Sequence, residues 1–215
     1  MANDAKRQDW LKERLNGIGA SEASAVLGLN PYMSNVELWE IKTGRRIPED
    51  IGDKPYVKYG TEAEKHLRAL FALDYPQYKV TYKEFDVIRH PEYPFIFATL
   101  DGRLIEKSTK KNGILEIKTT EILKSMQREQ WKEKIPQNYF VQVLHQFLAT
   151  GWEFAWLKAQ LKFVYDGEIV LQTKHYPIER SEVKDDLEYL LEAEIRFWES
   201  NVIADVKPNL ILPEI

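Results

Sequence analysis

Asp101, Glu116 and Lys118 are the residues of this 215-residue chain whose types and spacing could do chemistry. Asp101 lies in FIFATLDGRLIE, and Glu116-Ile117-Lys118 in GILEIKTT. Both segments read as strands, rich in β-branched and aromatic residues. Side chains alternate faces along a strand, so Glu116 and Lys118 share a face while Ile117 points the other way into a core. Paired as a hairpin, the two strands bring Asp101 to Glu116 and Lys118 at one edge of a sheet. Two hard oxygen ligands on a rigid frame suit Mg²⁺, which keeps its remaining positions for water and substrate phosphate. A lysine beside them can hold a phosphate or help an attacking water lose its proton. That is the constellation of a metal-dependent phosphodiesterase. The same residues also fit a solvated ion pair on an edge strand, and the spacing alone does not choose between the two.

The elements that must position these residues follow from pattern. Ser21 reads as the N-cap of a short helix through ASEASAVLG that stops at Gly28. Ser34 to Glu37 is a capping box opening a helix that ends near Gly44. Thr61 to Glu64 reads as another, opening a helix to about Leu73 whose stripe is Leu67, Leu70 and Phe71. Three strands come next, YKVTYKEFDVI, FIFATLDGRLIE and GILEIKTT, as a meander carrying the candidate site on its second and third members. Pro136 marks a helix start, and NYFVQVLHQFLATG runs to Gly151. FAWLKAQLKFVY and EIVLQTKHYPI read as a strand pair turning at Asp166-Gly167. An amphipathic helix covers roughly Ser181 to Ser200. The fold class is therefore α/β, a mixed central β-sheet flanked by α-helices. Residues 1–215 are expected to form a single domain, with a motif-bearing core at about 14–150 and closing strands, helix and apolar tail at 151–215.

Composition narrows the function classes. The chain has no cysteine, which excludes disulfides, thiolate zinc sites and cysteine-held iron–sulfur clusters. No apolar stretch approaches membrane-spanning length, and MANDAKRQDW lacks the apolar core of a signal peptide. A cytoplasmic protein with no membrane association is the expectation. Net charge is −4, but from Lys107 to Lys134 there are eight Lys/Arg against four Asp/Glu, overlapping the candidate site. A local basic segment of this kind is what phosphates meet. From Ile178 to Glu199 the balance reverses, eight acidic residues against three basic, which reads as an ordinary helix surface.

Several motifs in order give the chain a resemblance. RLNGIGASEASAVLG supplies Arg14 and Ser21. YGTEAEKHLRALF supplies Gly60, Glu64, Arg68 and Phe71. ATLDG supplies Asp101, LEIKT supplies Glu116, Ile117 and Lys118, and FVQVLHQ supplies Gln142. Together they resemble the phage lambda exonuclease and YqaJ-type viral recombinase family, within the restriction-endonuclease-like PD-(D/E)XK nuclease superfamily. The motifs span residues 14 to 146, and nothing in the last third matches beyond closing strands and a helix.

The resemblance implies a Mg²⁺-dependent 5′-3′ exonuclease acting on double-stranded DNA ends from 5′-phosphorylated termini. It implies a 3′ overhang left for a single-strand annealing recombinase, and a homotrimer ring. It also implies a phage or prophage protein in a bacterial host, with Mn²⁺ able to replace Mg²⁺ and two ions per site when DNA is bound. Asp101 and Glu116, with the Ile117 carbonyl, become the metal ligands. Lys118, Gln142 and Glu64 join them as catalytic residues, and Arg14 and Ser21 bind the 5′-phosphate. Bland alternatives stand beside these roles. Glu64 could complete a capping box or pair with Arg68, and Gln142 could serve backbone groups. Arg14 and Ser21 could be a surface arginine and a helix cap. His145 and Gln146 lie near the Gln142 face as supporting candidates. Trp131, in the basic stretch 119–137, could touch DNA or sit in the core. The alternatives for function are a related nuclease of different polarity or endonuclease habit, and a non-catalytic DNA-end-binding module. The apolar tail, with Val202, Ile203, Val206, Leu210, Ile211 and Leu212, must pack on its own domain or on a neighbour.

Overall fold

The hairpin that carries the candidate site is present. In the computed structural model, which describes Arg7 and residues 10–212, strand β5 (Gly102–Glu106) pairs antiparallel with β6 (Asn112–Glu121). Their register sets Gly102 against Leu115, which leaves Asp101 just before β5 and level with the Glu116 end of the pair. The approach there is close. A Cβ on Gly102 would lie 3.1 Å from the Leu115 Cβ, so a larger residue beside Asp101 would push the strands apart.

The main sheet has five strands in the order β2-β5-β6-β7-β8, where β2 is Tyr78–Thr81, β7 Phe154–Tyr165 and β8 Glu168–Glu179. Only β6 and β7 run parallel. Their connection crosses over through α4 (Ser125–Gln130) and α5 (Gln137–Thr150), as parallel neighbours require. The strand pair β7–β8 closes on Asp166 (φ 50°) and Gly167 (φ 85°). Both central residues thus have the left-handed backbone of a two-residue hairpin turn, which Asp-Gly favours.

Two layers cover this sheet. On one face Leu115 and Ile117 pack with Leu67 and Phe71 of α3 (Pro55–Asp74), so Ile117 enters a core as expected. On the other, Ile114, Ala155, Leu157 and Ala159 meet Val141, Leu144, Phe147 and Leu148 of α5. Behind α5 lie α1 (Ala23–Val26) and α6 (Lys184–Phe197), the latter widening into a π-turn at Trp198–Ile203. Helix α2 (Asn35–Lys42) carries the expected capping box, Ser34 with Glu37. Gly28, Gly44 and Gly151 follow their helices with φ near 70°, the left-handed stop that glycine adopts without steric cost. The fold is mixed α/β, a mixed sheet with helices on both faces, as expected.

Four expectations are corrected. The three-strand meander is broken: YKVTYKEFDVI yields β2 and a separate β3 (Ile88–Arg89), and FIFATLDGRLIE yields β4 (Ile96–Ala98) and β5. A short β1 (Ile18–Gly19) joins β4 and β3 in a second sheet, β1-β4-β3. Helix α3 starts at Pro55, because proline suits the first turn of a helix. Thr61 and Glu64 therefore lie within the helix, and no capping box forms there. Leu70 is 49 % exposed and does not belong to the buried stripe with Leu67 and Phe71. Ser21 caps no helix; its hydroxyl accepts from Arg14 instead.

Candidate active site

Glu116 is the centre of the site. It lies on β6 with its side chain under α5, and only 1 % of it is exposed. Helix α5 places Gln142 and Gln146 one turn apart on one face, as residues four apart must be. Gln142 Nε2 donates to Glu116 Oε1 at 2.6 Å, and Gln146 Nε2 donates to Oε2 at 2.5 Å. Lys118 Nζ lies 2.6 Å from Oε1. A buried carboxylate is costly unless paired and hydrogen-bonded, and here both oxygens are held. Gln146 was visible only as a neighbour of Gln142; the i, i+4 spacing of the two glutamines was the available signal.

Asp101 joins this group through the backbone. Its Oδ2 accepts from Ile117 N at 2.8 Å, so the carboxylate is fastened to the strand that carries Glu116 and Lys118. Arg68 of α3 donates from Nε to the Asp101 carbonyl at 2.6 Å and stacks over the Tyr82 ring at 3.8 Å. The sequence offered Glu64 as the partner of Arg68; the structure gives it the Asp101 backbone. Glu64 reaches the same neighbourhood because Gly60, one turn earlier, lets α3 run against β6. A Cβ there would stand 3.2 Å from Thr119 Oγ1.

The electrostatics match a crowd of like charges. Burial, then repulsion from Glu116 and Glu64, pushes the Asp101 carboxyl well above its ordinary range. Burial and Glu116 raise Glu64 as well. Burial opposes charge on Lys118, but Glu116 and Asp101 outweigh it and hold its ammonium more firmly protonated than usual. Carboxylates pressed toward protonation by one another are what a divalent cation relieves. Asp101, Glu64, Glu116 and the Ile117 carbonyl are the oxygens of this neighbourhood that could hold a cation. Among the described residues no three acidic or histidine side chains already converge as a closed ligand set.

Arg14 and Ser21 form a second cluster. Arg14 Nη2 donates to Ser21 Oγ at 3.2 Å, lies 3.8 Å from Glu22 Oε1 and packs its guanidinium over the Trp10 ring at 4.9 Å. Glu22 also pairs with Lys42 at 2.8 Å. Burial opposes its charge, yet Lys42 and Arg14 together hold its carboxyl below the ordinary range. Two cations against one carboxylate leave a net positive charge beside a hydroxyl, a composition suited to a phosphate. No hydrogen bond joins this cluster to the carboxylates among the described residues.

The remaining candidates separate cleanly. His145 faces away from Glu116 and pairs with Glu194 of α6 at 2.7 Å. Trp131 is 2 % exposed, so it belongs to the core; its carbonyl accepts from Lys174 Nζ and from the Tyr176 hydroxyl. The tail is anchored on its own domain. Asn35 donates to the Asn209 carbonyl at 2.7 Å and accepts from Ile211 N at 3.0 Å. Leu210 and Leu212 nevertheless remain 56 % and 73 % exposed.

Residues 9–153 match the model of the YqaJ-like viral recombinase domain. The chain is 33 % identical over 209 residues to the uncharacterized protein YqaJ of Bacillus subtilis, covering 97 % of this chain and 60 % of that one. It is 26 % identical over 157 residues to the uncharacterized protein R354 of Acanthamoeba polyphaga mimivirus, covering 68 % and 27 %. The chain thus spans about three-fifths of the length of the first curated relative and about a quarter of the second. Among solved structures, the alkaline exonuclease LHK-Exo from Laribacter hongkongensis superposes with a TM-score of 0.59 at 22 % identity, covering 92 % of this chain and 98 % of that one. Its complex with dAMP matches equally, at 0.59 and 21 %. A phage related exonuclease from Haemophilus somnus 129PT gives 0.57 at 13 %, covering 88 % and 96 %. At these identities the structural matches establish the fold.

Proposed function

This chain belongs to the YqaJ-like viral recombinase domain family, and from that premise we propose that it is a Mg²⁺-dependent 5′-3′ exonuclease of linear double-stranded DNA. The observation that supports the reading is Asp101, fastened to the strand that carries the clamped Glu116 and a firmly protonated Lys118, with Glu64 close enough to raise the Asp101 pKa. In this reading residues 1–215 are one exonuclease domain. The partners are double-stranded DNA ends and a single-strand annealing recombinase. A homotrimer ring keeps the enzyme on its substrate, and the source is a phage or prophage. Among the described residues no helix is long and apolar enough to cross a membrane.

The chain's own residues divide the work. Gln142 and Gln146 fix both oxygens of Glu116, so its orientation is set before substrate arrives. Arg68 and the Ile117 amide do the same for Asp101 from either side. Mg²⁺, when bound by Asp101, Glu116 and the Ile117 carbonyl with Glu64 nearby, supplies Lewis acidity and a water of lowered pKa; Mn²⁺ has the same preference for oxygen ligands. Lys118 holds its positive charge at the edge of the group, where it neutralises a phosphoryl oxygen and orients the attacking water. That water adds to the scissile phosphorus as the bond to the 3′ oxygen breaks. The 3′ oxygen leaves with a proton on the released mononucleotide, and the new phosphate stays on the shortened strand. Each cycle therefore presents Arg14 and Ser21 with another 5′-phosphate. A fold neighbour has been crystallised with dAMP, a mononucleotide of the class this reaction releases.

The test is digestion of a linear duplex with and without Mg²⁺. Asp101→Ala and Lys118→Ala are each expected to lose at least about a hundredfold in rate, the scale of removing a positioned charge from a reacting phosphate, while staying folded. Undiminished digestion by Asp101→Ala would sink the reading.

A further inference from the structure

Beside the carboxylate group lies a cleft of about 570 Å³ with an unusual lining. Lys134 is its only charged lining residue among the described ones; the rest are aromatic, amide and apolar side chains and one threonine. The cleft borders the site through Tyr139 and Thr120. Tyr139, which lines it, places its ring 5.1 Å from Lys118 Nζ. Thr120, also in its wall, lies two residues beyond Lys118 on β6 and so on the same strand face. Tyr139 is backed by the buried Trp131, with ring centroids 5.5 Å apart, so this wall is rigid.

Tyr32 also lines the cleft, and the residue is 84 % exposed. Its hydroxyl makes no hydrogen bond among the described residues, yet its backbone is fixed. Asn30 Oδ1 accepts from Tyr32 N at 2.9 Å, and Asn30 Nδ2 donates to the Ser21 carbonyl at 3.3 Å. The loop that presents Tyr32 is thereby tied to the residue proposed to grip the 5′-phosphate. The cleft thus lies between a loop hydrogen-bonded to Ser21 and a tyrosine whose ring approaches Lys118. Low charge disfavours phosphate as the occupant. Gln130 and Asn138 in the lining each offer a donor and an acceptor, which can meet the edge of any base. Stacking on an aromatic ring tolerates every base, as an enzyme that digests without regard to sequence requires.

We propose that this cleft is the subsite for the unpaired 5′-terminal nucleobase, stacked on Tyr32 with Tyr139 as its inner wall. The inference rests on the exonuclease reading, but its test does not need turnover. The probe is a 5′-phosphorylated single-stranded oligonucleotide with 2-aminopurine as its first base, titrated with the full chain in EDTA. Stacking should quench its fluorescence. Tyr32→Phe should quench equally, since the ring is kept. Tyr32→Ala should need about tenfold more protein for half-maximal quenching, the scale of one base–aromatic stack. The same probe base placed ten nucleotides inward should not distinguish the variants. Equal quenching by Tyr32→Ala at the first base would overturn the proposal. Mg²⁺-dependent digestion by the wild-type chain, run in parallel, separates the two claims. Digestion together with equal quenching by Tyr32→Ala removes only the subsite. Tyr32-dependent quenching without digestion supports the subsite and removes the nuclease reading.

Discussion

Replacing His145 by leucine should unfold the support of the site without touching the site itself. His145 lies on α5 between Gln142 and Gln146 and is fully buried with Glu194. Its Nε2 lies 2.9 Å from the Phe97 carbonyl and its Nδ1 2.7 Å from Glu194 Oε1. The carbonyl can only accept, so Nε2 carries a proton. Burial disfavours a second one, but Glu194 and the Phe97 carbonyl outweigh burial and raise the ring's pKa, which favours a proton on both nitrogens. His145→Leu leaves a buried carboxylate whose Oε2 already lacks a hydrogen-bond partner. Breaking one side of such a pair costs about 3–5 kcal/mol. For a chain of this length that lowers Tm by about 6–20 °C. The double variant His145→Leu/Glu194→Leu should recover much of the loss, because it buries no charge. The folded pKa lies above the unfolded value, so the pair's contribution is complete below about pH 6.5 and fades as pH rises through the folded pKa. Urea unfolding of the wild type at pH 6 and pH 9 should show that decline, and the double variant should show less of it. Single-variant losses that simply add in the double variant would refute the reasoning.

Three further outcomes are expected. Asp101→Asn should abolish hydrolysis yet stabilise the metal-free protein at neutral pH. The raised Asp101 pKa means that wild-type stability falls as pH rises from the unfolded value through the folded one; differential scanning calorimetry in EDTA reads this. Arg14→Ala should remove the preference for 5′-phosphorylated over 5′-hydroxyl ends while single-nucleotide cleavage persists, measured by product release from matched duplexes. Size exclusion with light scattering should give three times the 25.3 kDa chain mass, with Leu210→Ser/Leu212→Ser weakening the assembly. A stable monomer still processive on long DNA would defeat the ring.

Much of the site was legible because its residues are carried by local order. Asp101, Glu116 and Lys118 sit on one hairpin, and hairpin register follows from alternation. Gln142 and Gln146 share a helix face by spacing alone. What was not legible depends on tertiary contact. Arg68 binds the Asp101 carbonyl from 33 positions away, and no local pattern announces that. Thr61-Glu62-Ala63-Glu64 imitates a helix start, but Pro55 and the packing of Leu67 and Phe71 extend α3 through it. FIFATLDGRLIE reads as one strand by composition. The chain instead changes sheets between Ala98 and Gly102, which puts Asp101 at the junction where two sheets part and a side chain is free to cap β6.

The most direct measurement uses one linear duplex with a 5′-phosphate, each strand labelled separately, incubated with the full chain in Mg²⁺ or EDTA. The account predicts that the 5′-ended strand is consumed stepwise to mononucleotides, that its complement survives as a 3′ overhang, and that nothing is cut in EDTA. Glu116→Gln and Lys118→Met should be inert while folded. Consumption of the 3′-ended strand first, or digestion by either variant at the wild-type rate, would contradict it.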